Sequence, residues 1–173
     1  MSKRKRYLIT TADENTWKFD QPVIFLGEWC LLYERKHIWK GMDSIVAKSY
    51  GLGSLKKDID YKYVKNLEEK LFPKLCSLLN NYNRVNHDER FWKIIVGHWF
   101  RATINMLINR INTLKQCFQT EEISETILYE SDYCALTSPD ISTALIYYNN
   151  DQWNNILYGR IMHLLNDTGI SIN

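Results

Sequence analysis

The sequence predicts an α/β domain built on a doubly wound parallel sheet and rich in helix over its second half. Three observations carry this. Short, uninterrupted β-branched runs crowd the region before Tyr50, and apolar residues recur at three- and four-residue intervals from Val64 onward. The 173 residues, 45% apolar and 24% charged, also suffice for one well-filled core. Tyr7-Leu8-Ile9-Thr10-Thr11-Ala12 is continuous rather than alternating, the pattern of a strand covered on both faces, and belongs at the centre of the sheet. A polar loop from Asp13 to Gln21 leads through Pro22 into Val23-Ile24-Phe25-Leu26, a second buried strand ended by Gly27. Trp29 to Ile38 is compatible with helix, and Ile45 to Tyr50 reads as a third strand closed by Gly51 and Gly53.

Val64, Leu67, Leu71, Leu75, Leu78 and Tyr82 form one amphipathic stripe, which Pro73 is expected to kink or split. Asn86 and Glu89 have capping-box spacing ahead of a long helix from Asp88 to about Phe118, apolar over most of its circumference and so expected to be covered on several sides. Thr126-Ile127-Leu128-Tyr129 reads as a further short strand, and Ser138-Pro139-Asp140 opens a single helical turn. Asn149, with Gln152 three residues on, is expected to cap a last helix that runs through Leu164 and stops near Asn166-Asp167-Thr168-Gly169.

A net charge of +2 supplies no strong field to draw nucleic acid or an anionic membrane. The single basic run, Lys3-Arg4-Lys5-Arg6, reads as a solvated tail before the first strand. Four cysteines without a CxxC pair suggest neither a zinc ribbon nor a redox dithiol, and fit reduced thiols in the cytoplasm. Neither a signal peptide nor a membrane-spanning run is visible, and no cofactor or metal motif is present.

Two polar-aromatic clusters remain. Thr10 to Trp17 and Gly27-Glu28-Trp29-Cys30 both follow predicted strands, whose carboxyl ends form the ligand crevice of a doubly wound sheet. Thr11, Glu14, Trp17 and Trp29 are candidate substrate contacts there, Gly27 would let a ligand approach the backbone, and Glu28 is a candidate general base or a carboxylate capping the next helix. For Trp17 and Trp29 the alternative is core filling. Asn86, His87 and Arg90, at the start of the long helix, could hold an anion or could simply cap it.

The run Tyr7 to Ala12, then Glu14, Thr16-Trp17 and Pro22 to Cys30, resembles the opening of the transferases found in bacterial surface-polysaccharide (O-antigen) gene clusters. The resemblance continues through Tyr33, Arg35-Lys36-His37, Trp39, Val85-Asn86-His87, Arg90, Trp92, Gly97 and Trp99 into Asp151, Trp153, Asn154 and Tyr158. It implies a two-domain GT-B-like plan, in which a Rossmann-like three-layer N-terminal half serves the acceptor and a C-terminal half binds the nucleotide sugar. Residues 1–173 would then form the single acceptor-side domain, inactive alone, with the nucleotide-sugar domain outside them. The dipeptide Gly27-Glu28 is similar to a glycine-glutamate pair that supplies the base in Kdo-type glycosyltransferases. The implied partners are a glycan or lipid-linked acceptor, with peripheral membrane association open, and a nucleotide sugar; nucleic acid is not among them. Two other functions stand beside this one: a non-catalytic binding or assembly module that joins a separate catalytic half, and a relative of nucleotide-sugar epimerases.

Overall fold

A computed structural model describes residues 4–165 and 171–172. The chain divides into two compact units, one of residues 1–50 with 110–173 and one of residues 51–109.

In the first unit, β1 (Tyr7–Ile9), β2 (Val23–Phe25) and β3 (Ser44–Val46) form a parallel sheet in the order β1-β2-β3. Register aligns Ile9 with Phe25 and Phe25 with Val46. On the other side of β1, Arg6 forms a parallel bridge with Ile123, its N–H bonding Glu122 O and its carbonyl accepting from Ser124 N, both at 2.9 Å. That segment continues into β4 (Glu125–Thr126), which pairs in parallel with β5 (Ser171–Ile172). β4 and β5 form a separate two-stranded sheet, which this isolated bridge sets on the side of β1 opposite β2. β1 is thus flanked on both sides, as its uninterrupted apolar run predicts.

Alternation does the rest. Tyr7, Ile9, Val23 and Phe25 join Trp17 and Cys30 in one buried cluster, while Leu8, Ile24 and Leu26 are equally buried between them along the strands. The Trp17 ring meets Phe25 edge-on, with centroids 5.2 Å apart. β3 is an exposed edge, shorter than the expected 45–50 strand.

The connections depart from expectation. Between β2 and β3 there is no continuous helix over Trp29 to Ile38 but two 3-10 turns, Glu28–Cys30 and Tyr33–Arg35, and the one-turn α1 (Lys36–Trp39). Backbone there is diverted to side chains, since the Leu32 carbonyl accepts from Trp39 Nε1 at 2.9 Å. After β4, α4 (Ile141–Tyr147) is a full short helix rather than one turn, capped by Asp140. α5 (Asp151–Leu164) is capped by Asn150, not Asn149, whose neighbour's Oδ1 accepts from Trp153 N at 2.8 Å. The expected stop at 166–169 lies outside the described residues. β4 is two residues long because the chain then turns its N–H groups elsewhere: Ile127 N donates to Tyr7 Oη and Tyr129 N to Asn155 Oδ1.

The second unit is a helical hairpin. Gly51 and Gly53, at φ 79° and 107°, make the turn into α2 (Ser54–Asn83), and the chain returns in α3 (Glu89–Thr120), whose last residues belong to the first unit. Phe72, Cys76 and Trp92 are buried between the helices, with Leu75, Leu79, Val96 and Phe100 against them. Pro73 neither splits nor ends α2. It lies exposed between the buried Phe72 and Cys76, so contacts on both sides hold the helix through the missing N–H. The Asn86/Glu89 capping box is not formed: Asp88 Oδ1 accepts from Phe91 N at 2.8 Å, and Asn80 holds the loop by bonding both His87 N and His87 O. Nor is α3 covered all round, because Ile94 and Ile95 are exposed. Among the described residues no helix is long and apolar enough to cross a membrane.

Pro73→Ala is expected to stabilise the protein by about 1–2 kcal/mol, the helix penalty less the stiffening that proline gives the unfolded chain. Denaturant melts check this, and a loss of stability would show that the proline shapes α2.

Candidate functional site

The parallel ladder of β1 closes with Leu26 N donating to Ile9 O at 2.8 Å. Beyond it, one backbone group from each of three consecutive residues goes to a side chain. Trp29 Nε1 donates to Thr10 O and Trp17 Nε1 to Thr11 O, each at 3.0 Å, and Ala12 N donates to Asp151 Oδ1 at 3.0 Å. Gly27 makes the first of these possible: a Cβ there would stand 2.0 Å from the Trp29 ring. The close approach reserved for a ligand in the sequence reading is taken by this indole.

α5 lays a polar face against the same strand end. Asn155, fully buried, donates to Thr10 Oγ1 and Ile127 O and accepts from Tyr129 N at 2.8 Å. Tyr129 Oη donates to Asp13 Oδ2, and this acceptor raises the phenol above its ordinary pKa. Next to these groups opens a shallow, wide-mouthed crevice of about 510 Å³, lined by Ala12, Asp13, Glu14, Arg35, Asp151 and Gln152 among others. Arg35 grips Glu14 with two bonds of 2.7 and 2.6 Å and holds its carboxyl below the usual carboxylate range. A lining of carboxylates, amides and one guanidinium suits a ligand rich in hydroxyl groups.

The predicted residues are distributed as follows. Thr11 is buried, and Trp17 belongs to the core cluster. Glu14 lines the crevice, while Trp29 is 44% exposed over Gly27. Glu28 is exposed on the turn after β2, at the same end of the sheet as Thr10 to Asp13 but outside the crevice lining. Asn86, His87 and Arg90 belong to the second unit. His87 stacks on Phe91 at 3.9 Å, and Arg90 lines a groove of about 760 Å³ together with Lys93, Arg101 and Glu68. The Asp88 carboxylate already occupies that helix N-terminus. Among the described residues no three metal-ligating side chains gather.

Sequence reasoning singled out neither Asn155 nor Arg110. The signal for Asn155 was present: Asp151, Asn155 and Tyr158 step by four and three along one helix face. Arg110 carried none. It donates from Nε to Asn154 Oδ1 at 3.1 Å and from Nη2 to Tyr148 O, residues more than thirty positions away.

Asn155→Ala should cost about 2–3 kcal/mol, because it empties a fully buried position and leaves the half-buried Tyr129 N–H and Ile127 carbonyl unpaired. Gly27→Ala should expel the indole and cost about 1–3 kcal/mol, whereas Trp29→Phe, which loses the N–H and part of the ring's packing area, should cost about 1–2 kcal/mol; denaturation midpoints rank the three. Because Glu14 titrates below its ordinary value of 4.5, its pairing with Arg35 adds stability above that pH and loses it as pH falls through the lowered value. Melts from neutral pH to about pH 3 should show that loss, and Arg35→Gln should flatten it.

No curated protein and no solved structure matches this sequence. The family model described as LIC12162 family transferase matches residues 6–173, which takes in the strand ends, both indoles, the crevice and the hairpin. The chain therefore belongs to the LIC12162 transferase family.

Proposed function

We propose that the chain is the acceptor-side, Rossmann-like half of a GT-B-like glycosyltransferase of bacterial surface-polysaccharide (O-antigen) biosynthesis. One observation carries this reading. The strand order reverses beside β1, where β1 and β2 lead one way and β4 and β5 the other, and the polar crevice opens at the carboxyl end of β1 beside that reversal. Parallel α/β sheets bind ligands at such a switch point. Membership of a transferase family agrees with it.

In this reading the acceptor, a glycan or a lipid-linked sugar, presents hydroxyl groups to Glu14, Asp13 and Asp151. Thr11, Trp17, Gly27 and Trp29 shape the strand end that receives it. Glu28 takes the proton from the attacking hydroxyl, whose oxygen then bonds the anomeric carbon of a nucleotide sugar as the nucleoside phosphate leaves with the bonding pair. The nucleotide sugar is held by a further domain. Asn86, His87 and Arg90 are an anion contact on the hairpin.

Glu28→Gln in the complete enzyme should slow glycan transfer by about 10²–10⁴-fold without changing the melting temperature. Unchanged turnover removes Glu28 from the mechanism. A second reading, a binding or assembly module for a separate catalytic subunit, draws on the exposed Leu78, Tyr82, Ile94 and Ile95 of the hairpin. Native mass spectrometry separates the two, since a monomer with its own transfer activity excludes the second.

A further inference from the structure

Three side chains from distant parts of the first unit, Trp29, Arg110 and Tyr158, come together. The Arg110 guanidinium carbon is 6.0 Å from the centroid of the Trp29 ring and 5.9 Å from that of Tyr158. Arg110 is half-buried, and two of its bonds go to neutral acceptors, Asn154 Oδ1 and Tyr148 O. Tyr158 is 1% exposed, and its hydroxyl has no hydrogen-bond partner among the described residues.

A dry, unpaired phenol hydroxyl is costly to keep, and a guanidinium placed among aromatic rings has lost much of its hydration. Both are donors, and they lie in the same neighbourhood. Burial pushes the Tyr158 phenol far above its ordinary pKa, with the Arg110 charge acting against that shift, so the hydroxyl keeps its proton and remains able to donate. The missing partner is therefore an acceptor, and the nearby cation favours a negative one. Trp29 covers the place without sealing it. Its ring is partly exposed, rests on a residue without a side chain and is tied to the strand end by the bond from Nε1 to Thr10 O. Side-chain rotation is the only motion that such a cover requires.

We propose that Arg110 and the Tyr158 hydroxyl form a binding site for a single oxyanion, a carboxylate or phosphate carried by the substrate, with the Trp29 indole as its movable cover. The inference deepens the proposed function by naming an anionic group on the substrate, and rests on reading this sheet end as the substrate side. It places that group beside Glu28, one residue before the cover. Arg110 supplies charge and Tyr158 a fixed neutral donor, whereas the hydroxyl-rich remainder of the ligand would extend toward Asp13 and Glu14.

Equilibrium titration of the full chain with glucose 6-phosphate, glucuronate and glucose tests this without turnover, so its failure is separate from failure of the transferase reading. The expected result is saturable binding of at least one charged probe, no binding of glucose, and a shift of the Trp29 indole N–H resonance, assigned through Trp29→Phe. Phosphate and carboxylate as sources are told apart by which charged probe binds. Arg110→Gln should weaken binding at least about tenfold and Tyr158→Phe by about three- to tenfold. Tyr158→Phe should leave the melting temperature unchanged or raised, because it removes an unpaired hydroxyl; this variant decides the matter if Arg110→Gln fails to fold. Absence of saturable binding by either charged probe, as an ordered water in the site would give, overturns the proposal. So does binding that Tyr158→Phe leaves unchanged, or a lower melting temperature for that variant.

Discussion

Backbone leaving a parallel ladder in the middle of a sheet has to bond its polar groups away from water, and in this protein that need is met at the end of β1 by two indoles and a carboxylate. Thr10 and Thr11 are each 1% exposed, so their carbonyls have almost no access to solvent. Trp29 and Trp17 reach those carbonyls from two different connections, one after β2 and one before it, and Asp151 reaches the next N–H from α5. Each bond is an ordinary one, contributing about 1 kcal/mol net, but an unmade one would leave a buried polar group unpaired. The run Thr10-Thr11-Ala12 thus fixes where three separate segments meet, and the crevice is the space left over where they do.

The second half of the unit is bound to the first by the same economy of polar contacts. One face of α5 reads Asp151, Asn155, Tyr158, and its first two members bond the β1 end, the β4 end and the segment that follows it. Tyr7 acts similarly from below, donating to Thr16 O and accepting from Ile127 N. Such fully buried amides and phenols specify one arrangement, because any shift in register strands several donors at once. Tyr158 is the member of that face whose hydroxyl has no partner among the described residues.

The hairpin follows a different logic. Its helices are held by a seam of Phe72, Cys76, Trp92 and their neighbours, with Asn80 fastening the loop through His87 and through Trp92 Nε1. Large apolar side chains remain outside that seam on both helices. The apolar circumference that the sequence shows in α3 is thus spent in part on surface in the second unit and in part on the core of the first, where Leu114 is fully buried.

Much of this was legible in the residues. Uninterrupted β-branched runs gave β1 and β2, three-and-four spacing gave α2, α3 and α5, and the short polar segments after the strands marked the end of the sheet where the crevice lies, because those patterns depend on periodicity along a local stretch of chain. The local exceptions were not legible. Pro73 stays helical because contacts beyond the helix outweigh its missing bond, the segment after Gly27 fails to become a helix because its indole is drawn to a carbonyl nineteen residues back, and Asp88 displaces the expected capping box. Composition and strand pattern by themselves determined that a sheet end rich in threonine, carboxylate and tryptophan would exist. Only the tertiary structure decided that Gly27 serves an indole, that Arg35 engages Glu14, and that Arg110 arrives beside Tyr158, since each joins residues whose separation along the chain carries no periodic signal and whose meeting is set by packing alone.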